Sequence, residues 1–386
     1  MADTFIPLSV PNFSGHEKEY TQNAVVSEWV STGGSLVPRF EEAIAEYTGM
    51  PGAAATASGT AGLHLAFLAA GIGPGMEVIA PSLTFIAAVN PICYVNAKPV
   101  FIGCDASLCI DPAAVGRFCE ENCEMRDGKL YNKATGSHVA ALEAVHIFGN
   151  MADMPRLLAL AEKYNLVLVE DATEALGTYY TEGPLKGKMA GTMGDVGVYS
   201  FNGNKLVTTG SGGMLVSNHA EWLAKAKHLS TQAKADEAFY VHDEIGYNYR
   251  LTNLQAALGL AQMEQIEGFI SHKHLLYDYY REKLDGYNGY RLLPFRSNIR
   301  SNKWFFSLYL EDTRHSRNEV IQKLKEQKIQ TRAVWGLIHQ QKPYLGCEAY
   351  GMDTAQDMYA KIVNIPCSTN LSLDAAARVA DTLLTF

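Results

Sequence analysis

The sequence predicts an α/β protein with a large domain, built on a mostly parallel mixed sheet flanked by helices, and a smaller α+β domain. Two observations support this prediction. Short, nearly continuous apolar segments alternate with helical segments from about residue 49 to residue 214, which is typical of strands covered on both faces. After residue 251 a long helical segment leads into a second, shorter alternation, and 386 residues are enough for two or three hydrophobic cores.

The large domain is predicted to contain five apolar strands joined by helices. The strands are expected at residues 78–81, 99–103, 144–148, 166–170 and 197–201, with a helix at 155–164 between two of them. The most apolar segment, residues 61–73, is too short to span a bilayer, so it is expected to be a buried helix. Parallel strands need crossover connections, which such helices would supply.

The C-terminal part changes pattern at Leu251. Residues 251–284 are predicted to form one long helix, followed by a strand at 304–310, an amphipathic helix at 317–327 and a strand at 331–334. We therefore place the large domain at residues 12–250, and the linking helix with the small domain at residues 251–386. Residues 1–11 are expected to pack on the small domain.

The composition excludes several classes of function. With 32 basic and 41 acidic residues the net charge is −9, so no broad surface for nucleic acid or anionic membrane is expected. Residues 1–11 lack the basic and apolar regions of a secretory signal. Seven cysteines without C-x-x-C pairs are typical of reduced thiols in a cytoplasmic protein, and no metal site is predicted. The common motifs of nucleotide hydrolysis, dinucleotide binding, serine hydrolysis and zinc proteases are also absent.

Two segments suit a cofactor that carries a phosphate. Residues 58–62 (SGTAG) place small and hydroxyl side chains at the start of an apolar helix, where unpaired N–H groups attract phosphate. An ordinary helix cap would use the same residues. Asp171 ends the apolar segment LVLVED, at the end of a strand where α/β sheets bind ligands. Its carboxylate either pairs with a cation, such as a protonated pyridine nitrogen, or is a solvated helix cap.

Two further segments carry candidate residues. Lys205 lies in a polar loop between apolar strands and is followed by hydroxyls and glycines. Burial of such a lysine favours its free amine and makes it a candidate Schiff-base residue, although an ordinary surface lysine in a hairpin loop is the alternative. Asn248 and Arg250 come just before the long helix, where polar side chains either reach across an interface or cap the helix.

Taken together, these segments resemble the fold-type I pyridoxal-phosphate enzymes and, more narrowly, the DegT/DnrJ/EryC1/StrS family of nucleotide-sugar aminotransferases. Seven segments follow the family's order: STGG at 31–34, SGTAGLHLA at 58–66, PSLTFIA at 81–87, HIFGNMADM at 146–154, EDATEALG at 170–177, SFNGNKLVTTGSGGM at 200–214 and YNYRLTNLQAALGLAQ at 247–262. The sequences of the motifs EDATEALGTYYTEG and SFNGNK most resemble the subgroup that aminates UDP-linked 4-keto-6-deoxy-N-acetylglucosamine for bacillosamine or legionaminic acid synthesis.

The resemblance implies a set of residues that bind pyridoxal 5'-phosphate. Lys205 would form the Schiff base, Asp171 would hold the pyridinium nitrogen and Phe85 would stack on the ring. The phosphate would be bound by Gly59, Thr60, Ala61 and Ser200. Asn248 would reach the same phosphate from a second subunit, which implies a homodimer with shared active sites.

Other roles implied by the resemblance are less direct. Glu174 stands where the family more often has Gln or His near the phenolic oxygen of the ring, and a carboxylate there repels a phenolate unless it is protonated or turned away. Glu174 would otherwise serve the helix dipole. Ser35, Arg250 and His339 are the candidates for binding the sugar substrate, with a structural role as the alternative for His339.

The reaction implied by the resemblance is amino transfer. L-Glutamate would donate the amino group, and the C4 ketone of a nucleotide-linked sugar would accept it, with UDP-2-acetamido-2,6-dideoxy-hexos-4-ulose as the expected substrate. Lys205 would move the proton in each half-reaction. An aminotransferase for a dTDP- or GDP-linked 3- or 4-keto sugar is the first alternative. A sugar dehydratase, which has histidine in place of the lysine, and an inactive partner subunit are disfavoured by the intact Lys205, Asp171 and Ser200.

Overall fold

A ten-stranded mixed sheet organises the larger part of the molecule in the computed structural model, which describes residues 4–311 and 314–386. Helices α1 to α12 span Glu17–Val26, Leu36–Thr48, Gly59–Ala69, Ile86–Tyr94, Pro112–Glu121, Met154–Tyr164, Ala220–Ser230, Asn253–Met263, Ile266–Leu284, Arg317–Glu326, Asp353–Lys361 and Leu373–Leu384. Strands β1 to β18 span Ala53–Thr56, Met76–Pro81, Lys98–Ile102, Cys123–Arg126, Lys129–Asn132, His138–Val145, Val167–Asp171, Tyr179–Tyr180, Val196–Ser200, Gly213–Ser217, Lys234–Asp236, Val241–His242, Tyr290–Leu292, Ile299–Arg300, Phe306–Leu310, Arg332–Ala333, Ala349–Tyr350 and Ile362–Ile365.

The main sheet has the order β1-β10-β9-β7-β6-β2-β3-β17. Neighbours from β9 to β17 run parallel, and β10 and β1 pair antiparallel at one end. The predicted α/β class with a mostly parallel mixed sheet is confirmed. Because β7 and β9 are parallel neighbours, their carboxyl ends bring Asp171 and Ser200 to the same edge, where open α/β sheets bind ligands.

The five predicted strands of the large sheet are present, but one ends earlier than expected. Strand β6 stops at Val145, whereas the sequence predicted a strand to residue 148. His146 turns its ring into the protein, where Nε2 lies 2.8 Å from Oε2 of Glu170 and Nδ1 accepts a hydrogen bond from the N–H of Ala152. The following residues form a 3₁₀ turn with Phe148 at a φ of 56°. These buried polar contacts override the apolar pattern of the segment.

The predicted single helix over residues 251–284 is two helices, α8 and α9, separated at Glu264 and Gln265. Helix α8 begins at Thr252 with a capping box, which accounts for its start. At the break, Oε1 of Glu264 accepts a hydrogen bond from the Tyr20 hydroxyl, and Oε2 lies 2.8 Å from Nδ1 of His16. Side-chain contacts with the N-terminal part of the chain therefore set the junction between these helices.

A second, four-stranded antiparallel sheet forms the C-terminal unit, in the order β13-β15-β18-β16. The predicted strand at 304–310 begins only at Phe306, because Trp304 and Phe305 turn toward the large sheet. Residues near the N-terminus pack on this unit: the N–H of Ile6 donates to the carbonyl of Lys328, and the carbonyl of Leu8 accepts from Cys367.

Helix α3, the predicted buried helix, packs its side chains into the core beside the main sheet. Among the residues that the structure describes, no helix combines the length and the apolar character needed to cross a bilayer.

Candidate active site

A cavity of about 560 Å³ opens where the carboxyl ends of β7 and β9 meet the start of α3. It brings together seven of the residues predicted from the sequence: Gly59, Thr60, Phe85, Asp171, Glu174, Ser200 and Lys205. The opposite wall comes from the C-terminal unit, with Trp304, Phe305, Gln330, Arg332, Trp335 and Asn364. The cavity therefore lies between the two sheets.

The start of α3 forms one end of the cavity. Ser58 caps the helix, and its Oγ accepts a hydrogen bond of 3.0 Å from the N–H of Ala61. A Cβ atom on Gly59 would lie 2.9 Å from Cβ of Ser200 and 2.9 Å from Cγ2 of Thr173, so only glycine fits this approach. The positive end of the helix dipole therefore opens beside a serine hydroxyl, which suits an anionic group.

Asp171 forms the floor of the cavity at the end of β7. Its side chain is buried, and Oδ1 accepts a hydrogen bond of 2.9 Å from the N–H of Thr173. Burial raises the pKa of Asp171, while the hydrogen bonds from Thr173 and the charge of Lys205 oppose this shift. A cation bound against this carboxylate would therefore be strongly stabilised, because it would remove the cost of an unpaired buried charge.

Lys205 reaches into the cavity from the loop after β9. Its backbone N–H donates to the carbonyl of Asn202, which fixes the turn. Its Nζ atom lies 3.5 Å from Oε1 of Glu174 and 4.0 Å from the ring centroid of Trp304. The amine is therefore held inside the cavity, between the Glu174 carboxylate and the Trp304 ring.

Glu174 lies in a turn after β7, where no helix begins, so the alternative role at a helix dipole is wrong. Its carboxylate faces two partners. Its Oε2 accepts a hydrogen bond of 2.7 Å from the N–H of Phe148, and its Oε1 faces Lys205. Burial raises the pKa of Glu174 to about 7, against the opposing effects of Lys205 and Phe148. This carboxyl group therefore changes its protonation state near neutral pH.

Replacing Glu174 by glutamine is expected to change how stability depends on pH. The folded-state pKa of about 7 lies above the ordinary value of 4.5, so the folded protein keeps a proton that the unfolded chain releases. The stabilising contribution of this group is complete below the unfolded pKa and is lost as the pH rises through the folded pKa. Between low pH and pH 8, the unfolding free energy of the wild type should therefore fall by on the order of 3 kcal/mol. Glu174→Gln, which has no carboxyl group to titrate, should not show this fall.

Urea unfolding of the cofactor-free protein between pH 4.5 and pH 8, the range spanned by these pKa values, measures this difference. Glu182→Gln, at an exposed position, is the matched control and should follow the wild type. Parallel pH curves for Glu174→Gln and the wild type would contradict the prediction.

Five predicted site residues are not among those that line the cavity of a single chain. Asn248 is exposed and accepts a hydrogen bond from Gln232, and Arg250 forms an ion pair with Glu41 at 2.6 Å. Ser35 lies beside a separate groove with Trp29 and Arg39, and Nδ1 of His339 lies 2.6 Å from Oγ of Ser82. Ala61 spends its N–H on the helix cap. Their proposed roles in binding cofactor or substrate remain predictions.

The sequence reasoning missed the wall formed by the C-terminal unit. Trp335 packs on Phe85 with ring centroids 5.8 Å apart, and Arg332 lies exposed at the cavity mouth. In the sequence, Trp304 and Trp335 lie next to polar segments, which was the only local hint of a cavity wall. Tryptophans in such surroundings occur equally in ordinary hydrophobic cores, so the hint did not identify them. Only the packing of the two sheets identifies them as cavity residues.

A match to the DegT/DnrJ/EryC1/StrS aminotransferase family covers residues 11–384. The GDP-perosamine synthase of Escherichia coli O157:H7 is 35% identical over 99% of this chain and 98% of its own length. The UDP-4-amino-4,6-dideoxy-N-acetyl-beta-L-altrosamine transaminase of Campylobacter jejuni subsp. jejuni serotype O:23/36 (strain 81-176) is 30% identical over 92% of this chain and 90% of its own length. The crystal structure of DesI in the presence of its TDP-sugar product has a TM-score of 0.87 at 28% identity, covering 99% of this chain and 93% of that chain. The chain therefore belongs to the DegT/DnrJ/EryC1/StrS aminotransferase family.

Proposed function

We propose that this protein transfers the amino group of L-glutamate to the C4 ketone of a nucleotide-linked 4-keto-6-deoxy sugar. One observation carries the proposal: the amine of Lys205, the buried carboxylate of Asp171 and the start of α3 all face one cavity. Amino transfer with a pyridoxal cofactor needs three features. These are an amine that bonds the carbonyl, a carboxylate that pairs with the ring nitrogen and a site that binds the phosphate.

Aminotransferases of this family depend on pyridoxal phosphate, and the residues of the cavity fit that cofactor. The close approach of Gly59 to Ser200 leaves the helix start open to a phosphate, and Asp171 would hold the protonated ring nitrogen. When bound, the cofactor supplies a carbonyl that carries the amino group and a ring that withdraws electrons. Phe85 would cover one face of the ring.

The chain's own residues supply proton transfer and shielding. The Nζ atom of Lys205 would move the proton at the α-carbon of glutamate in one half-reaction and at C4 of the sugar in the other. Oε1 of Glu174 lies 3.5 Å from this amine, close enough to exchange a proton with it. Because the pKa of Glu174 is about 7, its carboxyl group can release a proton when Lys205 gains one and take up a proton when Lys205 loses one. The rings of Trp304 and Trp335 exclude water from this side of the cavity.

A second copy of the chain is part of the proposal. Several large apolar side chains are exposed on the hairpin of β11 and β12 and on the segment after α1, among them Trp29, Phe239, Tyr240 and Ile245. Apolar surface of this kind is typical of an interface. In such a homodimer the exposed Asn248 would reach the partner's phosphate site, as the family resemblance implies.

The nucleotide is the finer part of the proposal. The sequences of the motifs EDATEALGTYYTEG and SFNGNK favour a UDP-linked N-acetylated sugar. The similarity over nearly the full length to a GDP-perosamine synthase favours a GDP-linked sugar, and its identity of 35% exceeds the 30% of the UDP-sugar transaminase. We therefore propose a GDP-linked 4-keto-6-deoxy sugar as the first substrate and a UDP-linked 4-keto sugar as the second.

A panel of GDP-, UDP- and dTDP-linked 4-keto-6-deoxy sugars with L-glutamate tests this proposal. We expect the GDP-linked ketone to give the highest kcat/KM, with an amino sugar and 2-oxoglutarate formed in equal amounts by mass spectrometry. The same nucleotide sugars with a hydroxyl in place of the C4 ketone are the controls and should give no amino sugar. Failure of every 4-keto sugar to accept an amino group would refute the proposed function.

A further inference from the structure

The amine of Lys205 rests against an aromatic side chain that the proposed reaction uses only as a wall. Nζ of Lys205 lies 4.0 Å from the ring centroid of Trp304 and 3.5 Å from Oε1 of Glu174. The Lys205 side chain is 12% exposed and Trp304 is 2% exposed, so water has little access to this contact. An ammonium over an indole face is attracted by the negative charge of that face, and the attraction strengthens as water is excluded.

Trp304 is held in place from three directions. Its Nε1–H donates to the carbonyl of Asn204, directly before Lys205, at 2.8 Å. Its backbone N–H donates to Oδ1 of Asn302 at 3.0 Å, and its carbonyl accepts from Nζ of Lys273 at 2.6 Å. The indole ring is thus tied to the same loop as the lysine that it contacts, and the two keep a fixed relation.

Lys273 makes this support unusual. Its side chain is 1% exposed, and its ammonium group donates to the carbonyl oxygens of Trp304 and Cys367. No acidic side chain pairs with it within residues 4–311 and 314–386. A buried lysine is costly unless its donors are satisfied, so its presence here indicates that the carbonyl of Trp304 is held firmly.

We propose that Trp304 is the positioning residue that holds the Lys205 ammonium between the two half-reactions, whenever this lysine is not bonded to the cofactor. The indole face and the Glu174 carboxylate define one resting position for Nζ inside the cavity. Without the indole face and the carboxylate, the lysine side chain, with its four rotatable bonds, would sample many conformations before its amine returned to the reacting atoms. The inference rests on the proposed role of Lys205.

Ordinary packing is the competing explanation for Trp304, and two variants distinguish it. Packing depends on apolar volume, whereas holding an ammonium depends on an aromatic face. Trp304→Phe keeps an aromatic face, and Trp304→Leu keeps an apolar side chain without one. Both variants lose the hydrogen bond to Asn204, so they are matched in that respect.

Nuclear magnetic resonance of the full chain loaded with pyridoxamine phosphate tests the contact directly, because Lys205 is then free. With ¹³C at lysine Cε, the Lys205 signal is the one missing in Lys205→Arg. We expect this signal to be shifted upfield by the indole ring current, to stay shifted in Trp304→Phe and to move to the ordinary lysine position in Trp304→Leu. An unchanged signal in Trp304→Leu overturns the proposal. If that variant does not fold, the absence of a nuclear Overhauser effect between Lys205 Cε protons and indole protons in the wild type overturns it equally.

The rate at which the lysine bonds to the cofactor is the second measurement. When pyridoxal phosphate is added to the cofactor-free chain, the Schiff-base absorption should appear about ten- to thirty-fold more slowly in Trp304→Leu, because an unheld lysine must lose about 1.5–2 kcal/mol of side-chain entropy to react. In Trp304→Phe it should appear at nearly the wild-type rate. Equal slowing in both variants would assign Trp304 to packing. Absence of the absorption band in the wild type would refute the proposed function, whereas the resonance measurement would still report on the Trp304 contact.

Discussion

Replacing Lys205 by alanine is expected to abolish the Schiff-base absorption band and to lower amino transfer by about 10⁴-fold. The side chain is the only lysine among the cavity residues described, and a positioned proton-transfer group contributes about 10²- to 10⁴-fold to a rate. Loss of the covalent bond to the cofactor adds to this effect. Absorption spectra with pyridoxal phosphate and the rate of glutamate-dependent sugar amination measure the two consequences.

The control for this experiment is Lys188→Ala, because Lys188 is exposed and lies outside the cavity. It should keep both the absorption band and the wild-type rate. Borohydride trapping provides the decisive result. If Lys205→Ala still gives the same trapped adduct with pyridoxal phosphate, then another residue bonds the cofactor and the role proposed for Lys205 is wrong.

Replacing Asp171 by asparagine is expected to lower kcat/KM by about 2 × 10²- to 5 × 10³-fold without unfolding the protein. Asparagine has nearly the same shape but no charge, so a protonated ring nitrogen would lose its partner. Breaking one side of a buried charge pair costs about 3–5 kcal/mol, which corresponds to this loss of rate if the pair persists in the transition state. In the cofactor-free protein the same change removes an unpaired buried carboxylate, so its unfolding free energy should not fall.

The two readouts separate a functional role for Asp171 from a structural one. Steady-state kinetics and urea unfolding are measured on Asp171→Asn and on Asp153→Asn, whose carboxylate lies outside the cavity at the start of α6. Asp153→Asn should retain the wild-type kcat/KM. If the kcat/KM of Asp171→Asn lies within threefold of the wild-type value, the pairing with the ring nitrogen is contradicted. A threefold change corresponds to only about 0.7 kcal/mol of transition-state stabilisation.

The residues of the candidate site that sequence could predict lie where strands of the large sheet end. Asp171 and Ser200 follow apolar segments, and Gly59 opens an apolar helix, so the local pattern itself places them at the carboxyl edge. The same reasoning identified the parallel sheet and its strands. These predictions depend on short-range periodicity, which the sequence carries directly.

The parts that could not be predicted depend on packing between distant segments. Glu264 and Gln265 are good helix formers, and the break at these residues arises from contacts with His16 and Tyr20 and with Glu17, about 250 positions earlier. Trp304 likewise enters the cavity because the two sheets pack together. No local pattern distinguishes such a residue from any other core tryptophan.

On the ribosome, the first described residues emerge long before the groups that hold them. Leu8 and Ser9 line the cavity, yet the N–H of Leu8 donates to Gln330, 322 positions later, and the N–H of Val10 donates to Ser368, 358 positions later. Contacts so distant in sequence form slowly and only after the partner residues have been made. The strands that carry Asp171 and Ser200 can pair much earlier. A nascent chain can therefore hold a folded sheet and still have no closed cavity, so competence to bind the cofactor is expected to arise only after the segment with Gln330 and Ser368 has emerged.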